Sequence, residues 1–458
     1  MSLGEISSGH RYIDRFAIRK LKVDFMHRAS SRRAFLRQIA GTACAATAAA
    51  ILPKQTAATL PPLEGGDVVI RRAMMCRFVY DRPRWIAGNA RYRVAGLTRN
   101  EDILLLFGNN DQIGVGGCRR GVTLEHARFL LGKSLTELLG NQVDEVNRRT
   151  GTSAIWDLAG KSAGKPVYEL LGGTVPAAGV GVYDGTIYHE ELLGRDTGSA
   201  YRNPDSALGE NPDWSDIIKE GVDASLTMGH TFLKVKIGRG AKHLSRRAGN
   251  YQDAAVVRLI RKHLGPDIGI GVDANNGYGF EDAIWFLEEC GNLDLAFIEE
   301  MFPEAVEPYE RVRQHLRQAG LKTLIADGET WKSPRDAVAR QIIDSGAVDI
   351  LHGDIRRFQI EGILEESRMA LAARHGAKIA PHNWGSDIGF CMQIHLACAM
   401  PNFYLAEHDP ATARDELLVK QGYSIKHGHC FDFDAPGFGI EVNRKRLDKL
   451  DVQFEAAL

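Results

Sequence analysis

Residues 268–299 read IGIGVDANNGYGFEDAIWFLEECGNLDLAFIE, and this stretch decides the fold. Ile268 to Val272 is a short apolar run of buried-strand character that ends in Asp273. Ile284, Phe286 and Leu287 belong to a helix that stops at Gly291. Leu295 to Ile298 is a second apolar strand, and it ends in Glu299. The unit is therefore strand, acidic residue, helix, glycine, strand, acidic residue.

The same unit extends in both directions. Upstream, Val256, Leu259, Ile260 and Leu264 sit at helical spacing and stop at Gly265. Before them, Phe232-Leu-Lys-Val-Lys-Ile237 reads as a strand carrying Lys234 and Lys236. Downstream, Glu310 to Ala319 stops at Gly320, and Thr323 to Ala326 leads to Asp327-Gly-Glu329. Ala337 to Ser345 stops at Gly346, and Val348 to Leu351 leads to Asp354. Ile363 to His375 stops at Gly376, and Ala377 to Ala380 leads to His382. Strands alternating with helices make a parallel sheet. Units of roughly 25 to 37 residues repeated this often favour a closed (β/α) barrel over an open doubly wound sheet. No Gly-x-Gly-x-x-Gly follows a strand, which argues against dinucleotide binding. In such a barrel the active site lies at the C-terminal ends of the strands, where these charged residues fall.

Residues 64–150 read differently. Val68-Val-Ile-Arg71 and Arg91-Tyr-Arg-Val94 suggest β structure, and helix is expected around Leu124 to Leu139. The expected organisation is a leader over 1–60, an α+β capping domain over 61–178, a barrel over 179–420, and a C-terminal segment over 421–458. An insertion runs from about Tyr188 to Asn211.

Composition is that of an ordinary soluble protein. The 458 residues are 44% hydrophobic and 25% charged, with a net charge of −1, so nothing points to a nucleic-acid partner. The seven cysteines are scattered and odd in number, which suits buried reduced thiols better than a disulfide framework. Ser31-Arg-Arg-Ala-Phe-Leu-Arg37 precedes an apolar, uncharged run from Ile39 to Leu52. This resembles a twin-arginine export signal, with Met26 a more typical start than Met1. The run is too short for a stable membrane anchor. The expected location is periplasmic or in the cell envelope, or cytoplasmic should the stretch be a basic amphipathic helix instead.

The strand ends carry the chemistry. One acidic residue alone is ordinarily a surface charge. Asp273, Glu299 and Glu329 at successive strand ends would instead repel one another in a barrel mouth, and a divalent cation removes that conflict. All-oxygen ligands favour Mg²⁺ first and Mn²⁺ second. Asp327 shares a face with Glu329 and competes for the ligand role, whereas alternation points Glu300 to the opposite face. Lys234 and Lys236 share a face, where two ammonium groups near a cation lower each other's pKa. Lys236 is assigned as base, and Lys234 as partner of a substrate carboxylate. Asp354 and His382 lie one strand apart, so the carboxylate would fix the imidazole tautomer and raise its basicity. His352 and His408 are read as structural or exposed. The loop Asp81–Arg93 holds four arginines that could bind a second acidic group, although solvated arginines are the plainer reading. Together these parts suit removal of a proton beside a carboxylate through a metal-stabilised enediolate.

The motifs resemble the mandelate racemase/muconate lactonizing enzyme family of the enolase superfamily, over roughly residues 64–445. They are SAIWDLAGKSAGKPVYELLGG at 153–173, Lys234-Val-Lys236, Val272-Asp-Ala-Asn275, Ile298-Glu-Glu300, Gly328-Glu329 and Pro436-Gly-Phe-Gly-Ile-Glu441. The resemblance implies a modified (β/α) TIM-type barrel with an N-terminal α+β capping domain, and a C-terminal tail returning to the cap. It implies Mg²⁺ on Asp273, Glu299 and Glu329, Asn275 near metal and substrate, Glu407 hydrogen-bonding the enediolate, and a homo-oligomer. Met301, Phe358-Gln-Ile360 and Cys118 depart from the family's usual residues. The expected activity is an acid-sugar or hydroxy-acid dehydratase acting on a small-molecule carboxylate. The alternatives are a racemase or epimerase, and a non-catalytic, metal-stabilised binding protein.

Overall fold

The computed structural model describes residues 67–192, 214–410, 412–413, 418–420 and 422–458. The export-type stretch at 31–37, Cys44 and most of the 188–211 insertion lie outside the described residues.

Three antiparallel strands open the described chain: β1 (Ile70–Ile86), β2 (Gly96–Gly108) and β3 (Ile113–Gly117). The strand Asp451–Ala457 pairs antiparallel with β1 on its other side, so the C-terminal segment is hydrogen-bonded into this sheet. The helix Ser153–Ala163 lies directly on β3. Its approach is so close that a Cβ on Gly114 or Gly116 would stand 2.2 or 2.1 Å from backbone atoms of Ala154. Only glycine permits that contact. Asp157 of the helix accepts from the amides of Val115 and Phe438 and pairs with Lys161, which fastens cap helix, cap sheet and C-terminal segment together.

Two local expectations for the cap are corrected. Arg91–Val94 is not a strand but part of a loop between β1 and β2. The Asn89 side chain accepts from the amides of Arg91 and Tyr92 and turns the chain there, consuming donors that a ladder would need. The Leu124–Leu139 region is two short helices, Leu124–Arg128 and Leu135–Leu139, separated by Gly132 at φ 75°.

The barrel strands are β4 (Val180–Ile187), β5 (Phe232–Lys236), β6 (Gly269–Asp273), β7 (Phe297–Glu299), β8 (Leu324–Asp327), β9 (Ile350–Leu351), β10 (Lys378–Ile379) and β11 (Ala406–His408). Neighbours from β4 to β10 pair in parallel and in sequence order. Closure comes from the last segment: Phe403 bridges Ile379 of β10, and three residues later β11 pairs parallel with β4. The ring of eight strands is complete, and the doubly wound alternative is excluded.

Alternation along β5 sorts its side chains. Leu233 and Val235 join the main core beneath the helices, while Phe232 packs in the barrel interior with Tyr183, Phe297, Ala326, Ile350 and Ala380. Lys234 and Lys236 share the Phe232 face and stand above that apolar floor. The Phe358–Ile360 departure has a structural use. Gln359 holds φ 59° inside the helix Ile355–Ala373, a conformation that favours glycine. Its side chain bonds the amide of Ser153 and the carbonyl of Gly117, tying barrel to cap.

Candidate active site

Every sequence-predicted site residue lies in one cluster at the C-terminal ends of the strands, all buried but the half-buried His382. Asp273 ends β6, Glu299 ends β7, and Glu329 lies two residues beyond β8. One oxygen from each falls within 4.8 Å of the others, so the three could hold a metal ion. Burial and the nearby Asp273 raise the Glu299 pKa to about 8. Burial opposes the charge on Glu329 too, but His382 and Arg91 beside it instead hold it below the usual carboxylate range. Hard oxygen donors of this number suit a divalent cation.

Two ambiguities are resolved. Asp327 does not share the Glu329 face. Gly328 has φ 131°, and the turn there carries Glu329 into the cluster while Asp327 accepts the Tyr309 hydroxyl and the Gly328 amide. Glu300 does not point away. Its φ of 43° ends the strand alternation, and its carboxylate folds back to Arg91 and Asn275. Glu300, Glu304 and Asp327 thus form a second acidic group beside the first.

The lysines stand over the three carboxylates. Lys234 Nζ lies 2.8 Å from Glu407 Oε1, 3.1 Å from Glu299 Oε2 and 3.7 Å from Asp273 Oδ2. Lys236 pairs directly with Asp273. Burial lowers both pKa values, and Lys234 does lower that of Lys236, as expected of neighbouring ammonium groups. Glu299 and Glu407 around Lys234, and Asp273 beside Lys236, outweigh these effects and hold both above the usual lysine value, so the expected net depression does not result.

Across the cluster, His382 Nδ1 lies 2.9 Å from Asp354 Oδ2 and Nε2 lies 3.1 Å from Glu329 Oε2. A carboxylate accepts only, so Nδ1 carries a proton and Nε2 faces the site. Asp354 also caps the following helix, accepting from the amides of Arg356 and Arg357, which fixes its position. Burial lowers the His382 pKa, yet Glu329 and Asp354 together raise it above the usual value. Asn275 donates its backbone N–H to Asp273 Oδ1 at 2.7 Å and its side-chain amide to Oδ2 at 3.2 Å. Glu407 accepts from the Asn383 amide at 2.8 Å.

Sequence reasoning missed Arg91 as a site residue. Its guanidinium reaches from the cap loop to Glu300, 2.6 Å away, and to Glu329. Tyr92 beside it stacks on Trp384, with centroids 5.8 Å apart. Two more loop arginines are paired rather than solvated, Arg82 with Asp409 at 2.9 Å and Arg84 with Glu190 at 2.8 Å, while Arg93 is exposed as expected of a solvated arginine. His352 is wholly buried, 3.7 Å from Glu299, while His408 bonds His230 and is structural.

The family described as enolase C-terminal domain-like matches residues 218–446. A mandelate racemase/muconate lactonizing protein from Geobacillus sp. Y412MC10, solved with magnesium and tartrate, superposes with a TM-score of 0.76. It is 27% identical and the match covers 86% of this chain and 98% of that one. The chain belongs to the mandelate racemase/muconate lactonizing enzyme family of the enolase superfamily. As a member, it has the superfamily's barrel and capping domain, and it is an enzyme, a lyase or an isomerase. It is therefore not a non-catalytic binding protein, the remaining alternative. Other relatives of this enolase-superfamily chain include D-galactarolactone cycloisomerase of Agrobacterium fabrum, 28% identical over 69% of this chain and 74% of that protein. A galacturonate dehydratase from Geobacillus sp. is 28% identical with a TM-score of 0.74, over 84% of this chain and 96% of that one.

Proposed function

We propose that the chain is a Mg²⁺-dependent dehydratase of an acid sugar or related hydroxy acid, acting by removal of the proton beside the substrate carboxylate. The observation that carries this reading is two-sided geometry: Lys236 and the His382–Asp354 pair flank one cluster of three carboxylates.

Asp273, Glu299 and Glu329 would hold the ion, which would supply positive charge against the negative charge of a bound substrate carboxylate. Lys234, fixed by Glu299 and Glu407, would donate to the same carboxylate and to the enediolate left by proton loss. With Asp273 engaged by the ion, Lys236 would lose the partner that keeps it protonated and, as the neutral amine, would take the α-proton from one face. His382 Nε2, oriented by Asp354, would take it from the other or return a proton to the departing β-hydroxyl. The apolar floor of Tyr183, Phe232 and Phe297 keeps bulk water from below the lysines.

A second reading, racemase or epimerase, draws on the same pair of opposed groups. A library of aldonic, aldaric and uronic acids incubated with Mg²⁺ in heavy water separates the two. A dehydratase yields an α-keto acid deoxygenated at the β-carbon, whereas a racemase exchanges the α-proton with no loss of water. No turnover and no exchange on any member would sink both.

A further inference from the structure

A cleft of about 680 Å³ lies on the seam between cap and barrel, apart from the active-site cluster. The cap helix Val143–Arg149 forms one wall, and the barrel segments 332–335 and 357–368 form the other. Arg119 from the cap and Arg357 from the barrel both line it. They are close enough that burial and then the Arg357 charge lower the Arg119 pKa. Two half-buried guanidiniums brought together are unfavourable unless something negative sits near them.

No ion pair to either guanidinium supplies that charge among the described residues, although Asp354 lies in the field of Arg357. Arg119 Nη1 donates to the Asn147 carbonyl at 3.0 Å. Arg357 Nη1 donates to the carbonyls of Glu329 and Trp331 at 2.9 and 2.6 Å. Among the described residues, neither has a carboxylate within ion-pair distance. The acids of the cleft are engaged elsewhere. Glu145 pairs with Arg148 and Arg149, and Glu365 with Arg335 at 2.6 Å. Glu361 accepts from the Thr152 hydroxyl and the Trp156 indole. Asp144 lies in the field of Arg335. Arg368 adds a further cation to the lining.

We infer that this cleft binds a small multivalent oxyanion, phosphate or a di- or tricarboxylate, between the Arg119 and Arg357 guanidiniums. Planar forks on opposite walls match clustered oxygens, and the cavity has room for either ligand. Such an anion joins cap to barrel. Because Arg357 also holds the Glu329 carbonyl, it braces the loop that carries one carboxylate of the active-site cluster.

The test uses the full chain in chloride buffer at fixed ionic strength, without added divalent metal. Sodium phosphate and sodium citrate are titrated separately by calorimetry, with thermal melts alongside. The expected result is saturable binding of one anion per chain and a raised Tm. Arg119→Gln and, separately, Arg368→Gln should each weaken it about tenfold, and Arg119→Lys should recover part of the loss. The tighter of the two anions identifies the source. Arg368 makes none of the contacts described above, so its variant separates lost affinity from misfolding. Three results would overturn the inference. Neither anion binds beyond the effect of chloride; or Arg119→Gln and Arg368→Gln leave the affinity unchanged; or the substitutions change the assembly's mass without any anion binding, which means a second copy of the chain fills the cleft.

Discussion

Glu366 offers a direct measure of how far burial governs the region behind the His382–Asp354 pair. It sits in the helix Ile355–Ala373, wholly buried, against Gly353 and so one residue from Asp354. Burial raises its pKa from 4.5 to about 8, with only the Gly353 amide opposing. A carboxyl whose folded-state pKa is raised holds its proton more tightly folded than unfolded. Its contribution to stability is therefore intact below about pH 4.5 and is lost as pH climbs towards about 8. At about 1.4 kcal/mol per pH unit of difference, the loss between pH 5 and pH 9 is about 4 kcal/mol. Glu366→Gln removes the titrating proton at nearly constant volume. Urea unfolding of both proteins at pH 5 and pH 9 isolates the effect, because every other titrating group is common to both. The variant should gain on the parent by about 2–4 kcal/mol between the two pH values, whatever its offset at pH 5. A stability difference that stays level within about 0.5 kcal/mol across that range would refute the assignment of a desolvated, protonated carboxyl.

Asp273→Asn should lower Mg²⁺ affinity at least about tenfold in calorimetry, and chelation of the parent should abolish turnover reversibly. A variant with unchanged affinity would remove Asp273 from the ligand set. Lys236→Met and His382→Asn should each abolish dehydration, while one of them retains α-proton exchange in heavy water; loss or retention in both would contradict opposed roles. Gly328→Ala forces a side chain into φ 131°, with its Cβ 3.1 Å from the His352 amide nitrogen. It should cost about 1–3 kcal/mol in urea unfolding and weaken metal binding by displacing Glu329. Gln359→Gly relieves a left-handed residue but deletes the bonds to Ser153 and Gly117. Melting should show net destabilisation, and a net gain would mean that those bonds contribute little.

Local order carried much of the architecture. Apolar strands, glycine stops and acidic strand ends recur from Phe232 to His382, and period alone makes them a parallel barrel whose catalytic rim is known before any contact is. The same alternation correctly joined Lys234 to Lys236. It failed one residue past the strands, at Glu300 and at Asp327-Gly328-Glu329, because positive φ angles there reset the direction of each side chain. Backbone conformation beyond a strand end depends on what the loop meets, and hydrophobic periodicity does not report it.

The sequence alone therefore determined the strand-helix order and the residue types at the rim, Asp273, Glu299, Lys234, Lys236 and His382 among them. Tertiary structure decided what these residues face. It set Arg91 of the cap loop against Glu300 and Glu329, more than two hundred positions downstream. It closed the ring through Phe403 and β11, and it brought Arg119 opposite Arg357 across the seam. Periodicity records which side of its own element a residue occupies. Charge pairing between elements is set only when the chain folds, since electrostatic energy depends on distance in space and not on separation in sequence.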